Sequence, residues 1–298
     1  MRFSKNKGVI LALLAGLLWG TIGIFVKKLT GLTPIGTTFF RLLIAFVGIV
    51  SVVVFLNLQK EVKSTLTHWK FLTILSFIMS LSLFFSVLGF YGTTVANASI
   101  LNNTTPLYVA LFGLLLWEKT SRKEWMGILL GFFGILLIFS AHEISFESQR
   151  FIGNVLSIMS AIFLAAYTIF SKRIRSRFSS FAIMFWVFGL GSLFILLESI
   201  LFQKPLFLKL VYADLYYVVG LGIFGTFLAH TFYTTSLKYI KASTASLIGL
   251  SSPISATLYA IILLGEIPSI LALLGLVFSI TGIFYVVRSE IVTNELGK

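Results

Sequence analysis

No cysteine occurs anywhere in the 298 residues. That excludes disulfides, thiolate nucleophiles and Cys-ligated metals. Charge is almost as scarce: Asp, Glu, Lys and Arg together make up 11% of the chain, against roughly 25% in a soluble domain. Such a chain cannot cover a globular surface with polar groups. A soluble enzyme, a secreted disulfide scaffold and a disordered chain are therefore excluded. Acidic residues are the rarer charges, ten against 23 Lys and Arg. Within the apolar stretches they are nearly absent.

What the chain has in excess is apolar residues, at 58%. A transmembrane helix needs about 20 predominantly apolar residues. Ten segments qualify: 8–27, 34–56, 69–90, 96–117, 124–141, 152–171, 181–202, 214–236, 243–264 and 269–287. The loops between them are too short for a soluble domain, so any function lies in the bundle. The first segment follows Arg2, Lys5 and Lys7, as a signal peptide would. It is long for a signal core and lacks a small-residue cleavage site, so it reads as a retained helix. The sequence thus predicts an all-α integral membrane protein.

The net charge of +13 invites a nucleic-acid reading, which the positions of the charges remove. With the N-terminus cytoplasmic and ten alternating helices, seventeen of the 23 basic residues fall inside. Five fall outside (Lys27, Lys28, Arg150, Lys204 and Lys209), and Arg41 lies within a segment. That asymmetry fits the positive-inside rule with both termini cytoplasmic.

The chain also repeats itself at a spacing of about 146 residues. Ile24-Phe25-Val26-Lys27-Lys28 lies opposite Ile169-Phe170-Ser171-Lys172-Arg173. Ala98-Ser99-Ile100 lies opposite Ala245-Ser246-Leu247, and Thr104-Thr105-Pro106 opposite Ser251-Ser252-Pro253. Glu118 ends one stretch and Glu266 the other, and Gly127 and Gly134 match Gly275 and Gly282. Each copy holds five segments, an odd number, so the second copy sits upside down in the bilayer. Two inverted five-helix repeats, 8–141 and 152–287, are the plan of many secondary transporters, with substrate near the midplane.

The doubled pattern Ala-Asn-Ala-Ser-Ile…Pro106…Leu-Trp-Glu118 and Ser-Thr-Ala-Ser-Leu…Pro253…Leu-Gly-Glu266 resembles the EamA domain. Phe40-Arg41-Leu42-Leu43-Ile44-Ala45 is similar to that family too. The resemblance covers nearly the whole chain, as two domains of the drug/metabolite transporter superfamily. It implies ten helices and movement of a small metabolite, often by export or facilitated exchange. Members handle amino acids, sugars, nucleotides and other solutes, so it does not fix the substrate. Arg41 is matched by Trp186 in the second copy, so the halves are not equivalent there.

Candidate site residues follow from polar groups at membrane depth. Pro106 and Pro253 fall near the middles of segments four and nine. There each frees the carbonyl four residues earlier, on Asn102 and Gly249. Asn102, Asn103, Thr104 and Thr105 surround one expected kink, Ser251 and Ser252 the other. Local hydroxyls, water or a substrate are the alternatives for satisfying them. Asn97 and Asn103 match a glycosylation sequon by chance, since neither is in an exposed loop. His230 lies inside segment eight, either as a proton carrier or as a neutral hydrogen-bonding group. His68 and His142 read as inert loop residues, and the three histidines are too scattered for a metal site. Arg41 is expected to snorkel toward the outer headgroups with Glu198 as a possible partner. Trp19, Tyr108, Tyr167 and Tyr233 are candidate cavity aromatics. Gly220-Leu-Gly222-Ile-Phe-Gly225 has the spelling of a dinucleotide loop without the strand it needs, and reads as a close-packing surface.

The expected function is transport of a small metabolite, an amino acid or similar solute, across the cytoplasmic membrane by alternating access. The alternatives are an intramembrane enzyme, for which no catalytic motif is present, and a non-transporting membrane partner. The expected partners are the substrate and the lipid bilayer, with no nucleic acid and no cofactor; a homodimer is left open. With so few buried carboxylates, transport down the substrate's own gradient is favoured over proton coupling through His230.

The charge asymmetry gives a direct test of topology. A cysteine placed at Ser176 is the sole thiol in the chain. It is expected to react with an impermeant maleimide in inverted vesicles and not in intact cells; labelling from outside intact cells would reverse the topology.

Overall fold

A computed structural model describes residues 2–93, 98, 101–115, 122–140, 148–209 and 211–264, with 270, 271, 274, 275, 277, 278 and 280–284. Glu118, Glu266, Asn97, His142 and part of the tenth segment lie outside the described residues. Among those described, the chain is helical throughout, and the one extended pairing is a bridge between Leu32 and Phe207. Helix α1 spans Arg2–Trp19, α2 Ile22–Lys28 and α3 Pro34–Phe55. The short α4, Gln59–Ser64, runs through a 3-10 turn into α5, Trp69–Gly92. Then come α6 (Thr105–Leu115), α7 (Arg122–Ser140), α8 (Ser148–Arg175) and α9 (Ser180–Leu201). Helix α10, Tyr212–Gly222, continues through a π-helical stretch, Ile223–Leu228, into α11, Ala229–Ser236. Helices α12 (Ala242–Ile248) and α13 (Ser251–Leu264) follow.

Six described stretches are long and apolar enough to cross a bilayer: Lys5–Lys28, Pro34–Phe55, Gln59–Gly92, Phe151–Arg175, Ser180–Leu201 and Tyr212–Ser236. Their outer faces are apolar and bare; Phe55 is 83% exposed and Leu201 76%. A soluble monomer does not leave such surface in water. The inner faces carry the small polar residues instead. Thr37, Ser76, Ser157 and Thr234 are fully buried. Many of these hydroxyls bond their own helix, as in Ser76 Oγ to Leu72 O at 2.7 Å and Ser157 Oγ to Gly153 O at 3.0 Å. This is a membrane protein.

Local chemistry sets the helix ends. Thr33 caps α3 by accepting from the Gly36 N–H at 3.0 Å, with Pro34 following. Ser179 caps α9 by accepting from the Ala182 N–H at 3.2 Å. Both helices end in a left-handed residue, Asn57 at φ 54° and Gln203 at φ 49°. The Leu58 N–H then reaches back to Val53 O, and the Lys204 N–H to Ser199 O, both at 2.9 Å. This closure satisfies carbonyls that the helix leaves free.

Helix α5 packs along α8, and α1 along α11. Helices α3 and α9, the second and seventh segments, face each other as their repeat positions suggested. Helix α6 lies on α8 and α12, and α1 on α13. Without a hydrophobic drive between helices in lipid, such contacts depend on close approach at small residues. A Cβ at Gly153 would sit 2.4 Å from the Gly92 carbonyl carbon and 2.7 Å from the Thr93 nitrogen. The Gly220, Gly222 and Gly225 series faces Phe25, Ile44 and Ile22 at 2.6, 2.6 and 3.0 Å. It is a packing surface.

Two expectations need correction. Pro106 and Pro253 do not kink continuous helices; each stands just inside the start of a new one, as the second residue of α6 and the third of α13. A helix's first N–H groups have no intrahelical partner, so proline costs nothing there. The breaks fall at Asn103–Thr104 and at Gly249–Leu250. The first segment is also interrupted, at Gly20–Thr21.

Gly153→Ala forces one backbone away from another and is expected to cost about 1–3 kcal/mol. Gly191→Ala is the control, since its Cβ would meet Leu42 and Ser80 at ordinary separations of 3.6–3.7 Å. Thermal unfolding in detergent should show a lowered Tm for the first and none for the second.

Candidate functional site

Two helix breaks meet around one side chain. Trp19 is the last residue of α1, and its ring lies 5.1 Å from His230 and 5.0 Å from Tyr233 on α11. Gly249, in the α12–α13 break, leaves room for that indole: its Cβ would sit 3.4 Å from the ring. Cβ atoms at Gly16 and Gly20 would overlap Ser251 Oγ at 1.8 Å and Ser255 Oγ at 2.1 Å. Glycine thus lets the last turn of α1 lie directly on the start of α13. Ser255 Oγ fixes the contact by donating to Gly16 O at 3.3 Å.

The polar atoms here are unusual in having no protein partner. Trp19 Nε1, both His230 ring nitrogens, Thr231 Oγ1 and Ser251 Oγ are buried and unpartnered. Asn102 Oδ1 is buried without a partner at the other break. Leaving a buried polar group unsatisfied costs about 1–3 kcal/mol. Elsewhere many hydroxyls avoid this cost by bonding local carbonyls, although Asn154 Oδ1, Ser171 Oγ and Arg175 Nε are also buried without a partner. An indole or imidazole nitrogen has no such local route, so these groups need something from outside their own helix.

Arg41 reaches the same helix from α3. It is buried at 1% exposure. Its Nε donates to Thr226 Oγ1 at 2.9 Å and its Nη2 to Gly225 O at 3.4 Å. Thr226 Oγ1 in turn donates to Leu221 O at 3.0 Å. Gly225 and Thr226 belong to the π-helical stretch, a distortion frequent at functional sites. Arg41 therefore does not snorkel outward, and its partners are not Glu198, which stays near the C-terminal end of α9, half-buried. Acceptors one helix away replace the distant headgroups.

The remaining candidates divide. Tyr233 OH pairs with Thr168 Oγ1 at 3.1 Å, and Tyr167 OH with Thr234 Oγ1 at 2.8 Å. Tyr167 is buried in a different apolar cluster, with Met184 and Phe188, away from Trp19. Tyr108 packs against the cluster that holds Tyr233. Asn102 Nδ2 donates to Ser86 Oγ at 3.3 Å. Asn103 and Thr104 form the turn, and Thr104 Oγ1 closes it on Leu101 O at 2.6 Å. Thr105 Oγ1 takes up the Asn102 carbonyl at 2.9 Å, and the Ser252 N–H takes up Gly249 O at 3.0 Å. Local groups thus close both carbonyls that the prolines free. Pro106 and Pro253 are buried. Trp19, His230, Tyr233 and Ser251 come together, with Arg41 one helical turn away.

Thr226 and Thr231 escaped the sequence reading. The signal was a polar stripe in an apolar segment: Thr226, His230, Tyr233 and Thr234 fall at i, i+4, i+7 and i+8, one face of a helix.

A model of the EamA-like transporter family matches residues 6–140 and again 151–288. The chain belongs to the EamA-like transporter family. An uncharacterized transporter from Archaeoglobus fulgidus is 28% identical over 94% of this chain and 97% of its own length. The Bacillus subtilis uncharacterized transporter YoaV is 25% identical over 90% of this chain and 92% of its own. One solved crystal structure superposes with a TM-score of 0.81, covering 96% of this chain and 98% of that one, at 17% identity; it shares the fold.

Thr226→Val in this EamA-like chain removes an acceptor from a buried guanidinium. A hydrogen bond to a charged group contributes about 1.5–3 kcal/mol. The expected result is a Tm lowered by several degrees, with Thr226→Ser close to wild type.

Proposed function

We propose that this chain is a ten-helix transporter of a small metabolite in the cytoplasmic membrane. In this reading it is built from two inverted halves, 8–141 and 152–287, works by alternating access, and keeps both termini in the cytoplasm. The direction is export or facilitated movement of an amino acid or similar solute.

The observation that carries this reading is the convergence of interrupted helices from both halves on unpartnered polar groups. Discontinuous helices meeting at a repeat interface are the form that transporter sites take. The repeat itself has structural support. The caps Thr33 and Ser179, and the left-handed ends Asn57 and Gln203, keep the 146-residue offset found in the sequence. The helix contacts map onto themselves when the halves are exchanged. The third segment packs on the sixth as the eighth does on the first, and the second faces the seventh. Each end also carries one acid that grips backbone N–H groups of the other half. Glu61 accepts from Ser179 N at 2.6 Å; Asp214 accepts from Gly31 N at 2.6 Å and Thr30 N at 3.2 Å. Five segments per half make the relation an inversion.

Flux of labelled solutes in proteoliposomes tests it. Downhill flux unaffected by an imposed pH gradient is expected. His230→Gln should slow it by about 2- to 10-fold, the effect of one lost hydrogen bond. Concentrative, gradient-driven flux that the mutation abolishes would make His230 a proton carrier. Liposomes no more permeable than empty ones would overturn transport.

A further inference from the structure

Arg41 is a cation buried to 1% exposure, with no anion beside it among the described residues. Its contacts are a hydroxyl and a carbonyl, both neutral. A buried charge ordinarily has a counter-charge, because transfer of an ion out of water is expensive. The three acidic side chains described are all occupied or remote. Glu61 holds Ser179 N, Asp214 holds Thr30 N and Gly31 N, and Glu198 lies near the C-terminal end of α9. Other cations that lie deep in the fold are differently placed. Lys172, for instance, donates to the carbonyls of Leu237 and Ile240, at the end of its helix.

The surroundings of Arg41 are rich in donors. The guanidinium carries five N–H donors in a planar fork and no acceptor. Nε and Nη2 are turned to the π-helical stretch, which leaves the Nη1 edge outside those bonds. His230 follows Thr226 by four residues, about 6 Å along the axis at the usual rise. Its two ring nitrogens and the indole Nε1 of Trp19 are buried and unpartnered. In a neutral imidazole one nitrogen donates, and an indole only donates. The wall beyond is aromatic, with Trp19 against Tyr233.

We propose that the substrate is an organic carboxylate, its anionic group paired with Arg41 and its apolar body against the Trp19 and Tyr233 rings. This rests on the transport reading above and names the chemistry of its site. A guanidinium matches a carboxylate bidentately, and one guanidinium balances one negative charge. A phosphate ester carries about −1.5 to −2 at neutral pH and needs more cation than this cluster offers. An ammonium finds only neutral acceptors here, Ser251 Oγ among them.

The test uses matched probes on the purified protein. Thermal stabilisation and binding are measured with 4-methylpentanoate, phenylacetate, their two amides, and phenylphosphonate. Labelled 4-methylpentanoate and its amide are followed in proteoliposomes. The carboxylates are expected to bind about 10- to 100-fold more tightly than the amides, the effect of a charge-assisted pair. Arg41→Gln should erase that preference, and Arg41→Lys should keep part of it. The wild-type comparison decides the matter even if Arg41→Gln does not fold. Amides binding as well as carboxylates, tighter binding of the phosphonate, no binding of either carboxylate, or an intact preference in folded Arg41→Gln would each overturn the inference. Flux of the amide alone would overturn it and leave transport standing, whereas flux of neither solute, with binding intact, would overturn transport instead.

Discussion

Inside a bilayer no water is at hand to satisfy a backbone N–H or C=O, so every break in a helix has to be closed by the protein itself. This constraint decides where the helices of this chain can be interrupted. At Gly20–Thr21 the Gly20 N–H still reaches Gly16 O at 3.1 Å, and Thr21 Oγ1 takes Leu18 O at 2.7 Å. At Gly249–Leu250 the Leu250 N–H takes Leu247 O at 3.0 Å. The π-helical stretch is closed by Thr226 Oγ1 on Leu221 O and, from outside its own helix, by Arg41 on Gly225 O. Arg41 is thereby fixed at depth, and the position of His230 relative to it follows from the helix that both touch.

Close packing follows from the same solvent. Lipid tails are as apolar as leucine, so helices gain by bringing backbones together rather than by hiding side chains. Gly153 against Gly92 and Gly16 against Ser251 are such approaches. A Cβ at Gly282 would stand 2.7 Å from Gly127 O and from Gly131 N, so the two glycine series read as equivalents meet each other. The glycines that make the fold compact therefore also bring the α1 break and the α12–α13 break into contact.

Much of this was legible in the sequence because it depends on composition and period. Long apolar runs, an offset near 146 and a polar residue at depth are one-dimensional signals. His230, Trp19, Tyr233 and Ser251 were singled out that way, and they adjoin. Arg41 was misplaced because its destination depends on a partner helix. A π-helical stretch has no sequence period of its own, so nothing local shows that Arg41 turns to Gly225 and Thr226. Pro106 and Pro253 marked the right places with the wrong geometry. A proline at depth is compatible with a kink or with a new helix start, and only the turns at Asn103–Thr104 and Gly249–Leu250 choose between them.

Several of the bonds that join the two sequence halves lie toward the ends of the helices. Thr33 Oγ1 donates to Pro205 O at 2.8 Å, and Trp186 Nε1 to Thr65 Oγ1 at 2.7 Å. The carboxylates of Asp214 and Glu61 act at the same levels. Around Trp19 and His230 the contact is mainly of rings, glycines and unpartnered atoms, with the long Ser255 Oγ to Gly16 O bond at 3.3 Å and Arg41 on the π-helical stretch as the bonds across it. On the transport reading this division has a mechanical sense. End bonds can be exchanged for water when one side opens, so breaking them costs little. Central groups have no water to turn to, so each further protein bond there would stiffen the junction between the halves. A ligand that satisfies them only while bound lowers the energy of the closed arrangement and leaves with its own hydrogen bonds restored. The polar groups that look like defects in the packing are then the ones that let the two halves move.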